Sequence, residues 1–223
     1  MSKNQIILKW KGPLEVGTFP RNEKEIEHLG LKNPGVYLIV QNFENFSTGY
    51  GGQTSDLRQR LHEHLASYMG FKYALRLKNP PLRKDFYRSS KADWSDEYIF
   101  WKIKEEGLNC YNYLLDWIPI ALMEIKRMQF FYCRYSGDGQ IRDIKGECNL
   151  LPQEFMKWME GHLVYHLKNF QGKENKFICD NERFPVANFS QSYFMDYVIE
   201  NEYLKGQANL KKILGKILKS PKK

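Results

Sequence analysis

The chain has 223 residues, 42% hydrophobic and 15% aromatic, and carries a formal charge of +8 from 34 Lys and Arg against 26 Asp and Glu. This composition excludes a disordered or fibrous chain and is enough for one domain with a real core, or one domain with large insertions. The charge excess favours a polyanionic partner, nucleic acid ahead of a membrane surface, and no apolar run reaches the roughly 18 residues that a membrane-spanning helix needs.

The first residues, Met1 to Gln5, lack the apolar segment of a secretion signal. Cys110, Cys133, Cys148 and Cys179 are widely spaced with no C-x-x-C pair, so reduced thiols in a cytoplasmic protein are expected, not a zinc site built on cysteines. A lead-in over residues 1–34 contains a short strand at Ile6, Ile7, Leu8 and Trp10 and a short helix from Asn22 to Leu29 closed by Gly30. That first strand is placed beside the sheet that follows.

Gly35 to His64 is the most informative stretch. Val36, Tyr37, Leu38, Ile39 and Val40 form an apolar run that suits a buried strand. Asn42 to Thr48 is polar and turn-like, and Tyr50-Gly51-Gly52 makes a second short strand. Thr54-Ser55-Asp56 supplies N-cap chemistry for a helix in which Leu57, Leu61 and Leu65 recur every four residues and which stops before Gly70. Arg60 and His64 form their own row beside that apolar stripe. Phenols, a guanidinium and an imidazole would then share one small surface. Such a surface suits a phosphodiester, because arginine forms a fork to phosphate and a tyrosine acts as acid or base only when its pKa is tuned.

From Phe71 to Asn109, Lys72, Arg76, Lys78, Arg83, Lys84 and Arg88 are interleaved with Phe71, Tyr73, Phe86, Tyr87 and Trp94. Basic residues meshed with rings are what a nucleic-acid surface needs. Residues 110–127 are apolar, and Pro119 argues for two short helices or a helix after a proline turn. Gln129 to Tyr135 reads as a strand ended by Gly137-Asp138-Gly139, with Gln140 to Ile144 returning antiparallel. Pro152 to Lys168 is an amphipathic helix with Phe155, Met159, Leu163 and Leu167 on one stripe. His162 and His166 lie four apart on it, without the H-E-x-x-H context of a zinc pair. Tyr193 to Leu204 and Ala208 to Leu218 are expected to be helices, the second with Lys211 and Lys212 on its outer face.

Gly35-Val36-Tyr37 followed by Tyr50-Gly51-Gly52, with Arg60 ten residues after Tyr50 and His64 four later, resembles the signature of the GIY-YIG endonuclease superfamily. About thirty residues carry the resemblance directly. One departure is Gln53, where members often have lysine. The resemblance implies an α/β (α+β) fold: a small mixed sheet flanked by helices. Here it would span residues 1–181, with a large insertion near 70–125 and a helical basic extension over 182–223. It also implies a glutamate that binds Mg²⁺ (or Mn²⁺) on a helix after the third core strand. Glu160 fits that order and Glu124 is the alternative. An asparagine after the glutamate helix completes the pattern, with Asn175 ahead of Asn181, and Asn149 in their place if Glu124 is the ligand.

On this resemblance Tyr37 is the general base, Tyr50 donates or orients beside it, Arg60 holds the scissile phosphate, and His64 orients Tyr37 or the water. Gln53 could only assist as a neutral partner. The implied activity is hydrolysis of double-stranded DNA to 5′-phosphate and 3′-hydroxyl ends. A compact chain that decorates the nuclease core resembles type II restriction enzymes, which leaves a homodimer open. The alternatives are a structure-specific repair or recombination nuclease, and a non-catalytic nucleic-acid-binding protein on the same scaffold.

Overall fold

The computed structural model describes residues 5–43, 47–70, 114–135, 144–145, 152–173, 177–179, 181 and 196–200. In chain order the elements are β1 (Gln5–Lys9), β2 (Lys11–Leu14), α1 (Glu23–Leu29), β3 (Gly35–Asn42), β4 (Ser47–Thr54), α2 (Leu57–Met69), α3 (Leu114–Arg127), β5 (Met128–Arg134), β6 (Ile144–Lys145), α4 (Pro152–Lys173), β7 (Phe177–Cys179) and β8 (Asp196–Glu200). The class is mixed α/β.

Strand β3 is the spine. Every residue from Gly35 to Gln41 is buried, as expected of a strand covered on both faces. It pairs antiparallel with β4 on one side and β5 on the other, giving a mixed five-stranded sheet in the order β2-β5-β3-β4-β7, with β7 parallel to β4. Strand alternation sends Tyr37, Ile39, Phe130 and Tyr132 into one core with Leu57, Leu61 and Tyr68 of α2 and Ala121 and Ile125 of α3. The opposite face is packed by α4, whose Phe155, Met159, Leu163, Val164 and Leu167 are buried. Gly51 allows that approach, since a Cβ there would stand 2.8 Å from Leu163 Cδ2. Each large side chain withdrawn from water contributes about 1.5–3 kcal/mol, so the two covered faces hold the sheet between helices.

The lead-in is tied down locally. Asn22 caps α1 by accepting from the Glu25 N–H, and Gly30 ends it in the left-handed region at φ 69°. Asp56 caps α2 through the Gln59 N–H, and the Leu57 and Arg58 N–H groups donate to the Asn33 and Leu31 carbonyls. The first turn of α2 is thus fixed against the segment that feeds β3.

Several expectations are corrected. The lead-in strand is two strands with Trp10 buried between them; β2 joins the main sheet, whereas β1 lies in a separate three-stranded sheet of order β6-β1-β8. Ile144 pairs with Leu8 of β1 instead of returning along β5. Asp196 to Glu200, expected inside a helix, is a strand parallel to β1; Tyr197, Val198 and Ile199 are aromatic and β-branched, and the Ile6, Ile7 and Leu8 strand gives them a partner. Pro119 sits inside a single 14-residue helix. Burial of Ala121 and Ile125 on that helix outweighs the missing backbone bond. The second expected C-terminal helix, at Ala208 to Leu218, lies outside the described residues, as do residues 71–113 of the expected 70–125 insertion with the basic residues Lys72, Arg76, Lys78, Arg83, Lys84 and Arg88, together with Lys211 and Lys212. Among the described residues no helix is long and apolar enough to cross a membrane.

Pro119 is exposed, and alanine there can restore the hydrogen bond to the Leu115 carbonyl. Pro119→Ala is expected to raise the free energy of unfolding in urea by about 1–3 kcal/mol. An unchanged or lowered midpoint would show that α3 is bent around the proline to pack.

Candidate active site

The β3–β4 hairpin sets Tyr37 directly opposite Gly52, and Ile39 opposite Tyr50. A Cβ at position 52 would collide with the Tyr37 hydroxyl and its ring. The second glycine of the Tyr50-Gly51-Gly52 run is therefore what lets the Tyr37 phenol lie across the neighbouring strand. Phe130 of β5 stacks on Tyr37 from the other side, at 5.3 Å between centroids and 15° between planes. The ring is held between a bare backbone and an aromatic plane.

Helix α2 brings two side chains to the same hydroxyl. Arg60 Nε donates to Tyr37 Oη at 2.9 Å, and His64 Nε2 lies 3.1 Å from it. The buried positions of α2 are Leu57, Leu61, His64 and Tyr68, so His64 occupies a core position, not a flanking row. Its imidazole meets Tyr37 and Tyr50 edge-on, at 5.4 and 5.5 Å between centroids. Arg60 also donates through Nη1 to Glu63 Oε2 at 2.8 Å.

Electrostatics follow from this packing. Burial pushes the Tyr37 phenol well above its usual range, and the neighbouring Tyr50 adds to that, while Arg60 works in the opposite sense. Burial, aided by the Arg60 charge, pulls His64 down to about 3, against a smaller opposing pull from Glu63. At neutral pH the cluster is a phenol, a neutral imidazole and a guanidinium. Arg60 fills one lone pair of Tyr37, and the phenolic hydrogen is within reach of both the Tyr50 hydroxyl and His64 Nε2, the latter in the tautomer with its own proton on Nδ1.

Glu160 reaches the same end of the sheet from α4. Its carboxylate accepts from the Gln53 side chain and backbone N–H and feels the charge of Arg60. Burial raises its pKa above the ordinary carboxylate value, and the Gln53 bonds and Arg60 oppose that. Gln53, Arg60 and Glu160 are thereby neighbours although they come from β4, α2 and α4. Glu124 lies elsewhere: it is fully buried on α3, where Gln41 Nε2 donates to both its carbonyl and Oε2, each at 3.0 Å. Asn175 lies outside the described residues. Asn181 is buried, and its amide both accepts from the Gly51 N–H (2.7 Å) and donates to the Gly51 carbonyl (2.6 Å). It acts as a one-residue extension of the ladder beside the strand that carries Tyr50.

Among the described residues no three His, Cys, Asp or Glu side chains gather into a metal-binding group. Besides the His64 imidazole, which is turned to the Tyr37 hydroxyl, this end of the sheet offers one carboxylate, an amide and two phenols, all oxygen ligands. That set fits Mg²⁺, which binds through one or two carboxylates together with substrate phosphate and water. Glu160 is the residue that would hold it.

Comparison with protein-family models, with curated proteins and with solved structures returned no match to this chain.

Two outcomes are expected. The unfolded chain carries an ordinary histidine near 6.5, whereas folded His64 titrates near 3. Between these values the unfolded state binds the extra proton, so stability falls as pH drops, by up to about 1.4 kcal/mol per unit. Urea titrations at about pH 4.5 and pH 7 are expected to show a smaller loss for His64→Gln than for the wild type. Gly52→Ala is expected to cost about 1–3 kcal/mol by forcing the Tyr37 ring off its seat. A wild-type melting temperature in that variant would show that the ring can move aside freely.

Proposed function

We propose that this chain is a divalent-metal-dependent DNA endonuclease of the GIY-YIG type, acting as a sequence-specific restriction enzyme. The observation that carries this reading is the single phenol oxygen of Tyr37 shared by Arg60 and His64, with Glu160 brought against Gln53 beside the same arginine. General nucleic-acid affinity needs positive charge alone. It does not need a buried phenol aligned between a guanidinium and a neutral imidazole.

Arg60 binds the scissile phosphate and stabilises the charge that grows on it. Mg²⁺ held by Glu160 would neutralise further charge on that phosphate. Tyr37 is a phenol at rest, so it can accept a proton from the attacking water only as it releases its own. His64 Nε2 lies at hydrogen-bond distance and is neutral, but its depressed pKa makes it a weak base, so it orients the phenol and the released proton passes on to solvent. Tyr50, with its hydroxyl beside Tyr37, orients the water or the phenol. The bond from the water oxygen to phosphorus forms as the P–O3′ bond breaks, and the 3′ oxygen takes a proton from solvent, leaving 5′-phosphate and 3′-hydroxyl ends. The formal charge of +8 suits a long duplex partner.

The test is digestion of plasmid and phage DNA with Mg²⁺. The wild type is expected to give discrete fragments, whose ends define the target. Arg60→Ala is expected to lose about 10²–10³-fold or more in rate, and Tyr37→Phe a comparable amount. Glu160→Ala is expected to lose Mg²⁺-dependent cleavage, and full activity in that variant would remove the ligand assignment. Selective cutting of flaps or junctions would replace restriction by repair, and binding without cutting would remove the enzyme reading.

A further inference from the structure

Arg60 is gripped from two sides. Nε donates to Tyr37 Oη at 2.9 Å, and Nη1 donates to Glu63 Oε2 at 2.8 Å. Glu63 is itself held, because Gln59 Nε2 donates to its other oxygen at 3.0 Å. Gln59 is fixed in turn at the start of α2, where its backbone N–H donates to the Asp56 cap. The pair is half-exposed, with side-chain exposures of 32% for Arg60 and 43% for Glu63.

A guanidinium offers three nitrogens. With Nε committed to the phenol and Nη1 to the carboxylate, Nη2 is the nitrogen with no partner among the described residues. A freely rotating arginine would present any edge to an anion. Here the carboxylate chooses which edge is presented and stops the side chain from swinging away from Tyr37. An exposed ion pair of this kind adds little to stability, so its geometry matters more than its energy. The same carboxylate also lowers the positive potential that a phosphate meets.

The geometry points to Glu63 as a positioning residue for the phosphate-binding arginine: its oxygen fixes the Arg60 rotamer so that Nη2 faces the scissile phosphodiester, and its charge weakens the hold on that phosphate. This rests on the nuclease reading above. Glu63 does not touch the substrate and acts through Arg60.

Two variants separate the two effects. Glu63→Gln keeps an acceptor oxygen at the same place and removes the charge. Glu63→Ala removes both. Steady-state cleavage with Mg²⁺ is expected to show kcat about tenfold lower for Glu63→Ala and within about threefold of wild type for Glu63→Gln. KM for DNA is expected to fall in both, by a few-fold at low salt, because a negative charge has left the phosphate site. In the free protein, the side-chain Nε–Hε resonance of Arg60 is expected to be sharp in the wild type and Glu63→Gln, and broadened in Glu63→Ala.

Wild-type kcat in Glu63→Ala would overturn the proposal. So would an equal fall in kcat for both variants, since charge and not the fixed oxygen would then be responsible. An unchanged Arg60 resonance in Glu63→Ala would also overturn it. If the wild type cuts no DNA, the nuclease reading itself fails and this inference falls with it, an outcome distinct from the other three.

Discussion

A single oxygen atom, the hydroxyl of Tyr37, is where the architecture converges. It has one hydrogen and two lone pairs to distribute. Arg60 takes a lone pair, and the hydrogen lies between His64 Nε2 and the Tyr50 hydroxyl. Both partners come from one turn of α2, so the angle at which that helix leaves β4 must be right. The Asp56 cap and the two carbonyls of the preceding loop fix that angle. The ring behind the oxygen is fixed by what is missing at Gly52 and what is present at Phe130. The β3–β4 register, the helix start and the aromatic stack all serve the placement of one atom.

The two glutamates weighed for the metal show how burial separates one residue type into two roles. Glu124 is enclosed and hydrogen-bonded by Gln41, whose side-chain oxygen Oε1 accepts from the Thr48 hydroxyl at 3.4 Å. A carboxylate in that setting ties α3 to β3. Glu160 keeps part of its surface in water and sits near the Arg60 guanidinium that touches Tyr37. Gln53 matters here: a lysine at that place would bring a full positive charge against Glu160, whereas the amide orients the carboxylate and leaves its charge available.

Much of this was legible in the sequence because it is local. The apolar run at Val36–Val40, the two glycines and the capped helix all lie within one stretch, and strand and helix periodicity place Tyr37, Tyr50, Arg60 and His64 on it. What was not legible depends on distant partners. Asp196 to Glu200 is a strand only because β1 is there to pair with it, and nothing in its own text outweighed the helical pattern around it. Pro119 misled because local propensity speaks against a helix that tertiary burial enforces. Asn181 stood behind Asn175 because spacing was the only guide, and its bonds to Gly51 appear only once β7 has joined the sheet. Glu63 carried no signal at all beyond being three residues from an arginine.

The separation between local and distant parts also bears on how the molecule comes into being. Tyr37 and His64 are 27 residues apart, whereas Asn181 and Gly51 are 130 apart. Contacts within the hairpin and its helix close short loops, and those to α4 and the strand after it close long ones, which form later and more slowly. During synthesis the phenol, guanidinium and imidazole emerge early and together, while the carboxylate that completes the oxygen set arrives only after most of the chain has been made. The nascent protein therefore lacks Glu160 beside Arg60 until α4 docks on Gly51, so assembly itself delays completion of the cluster.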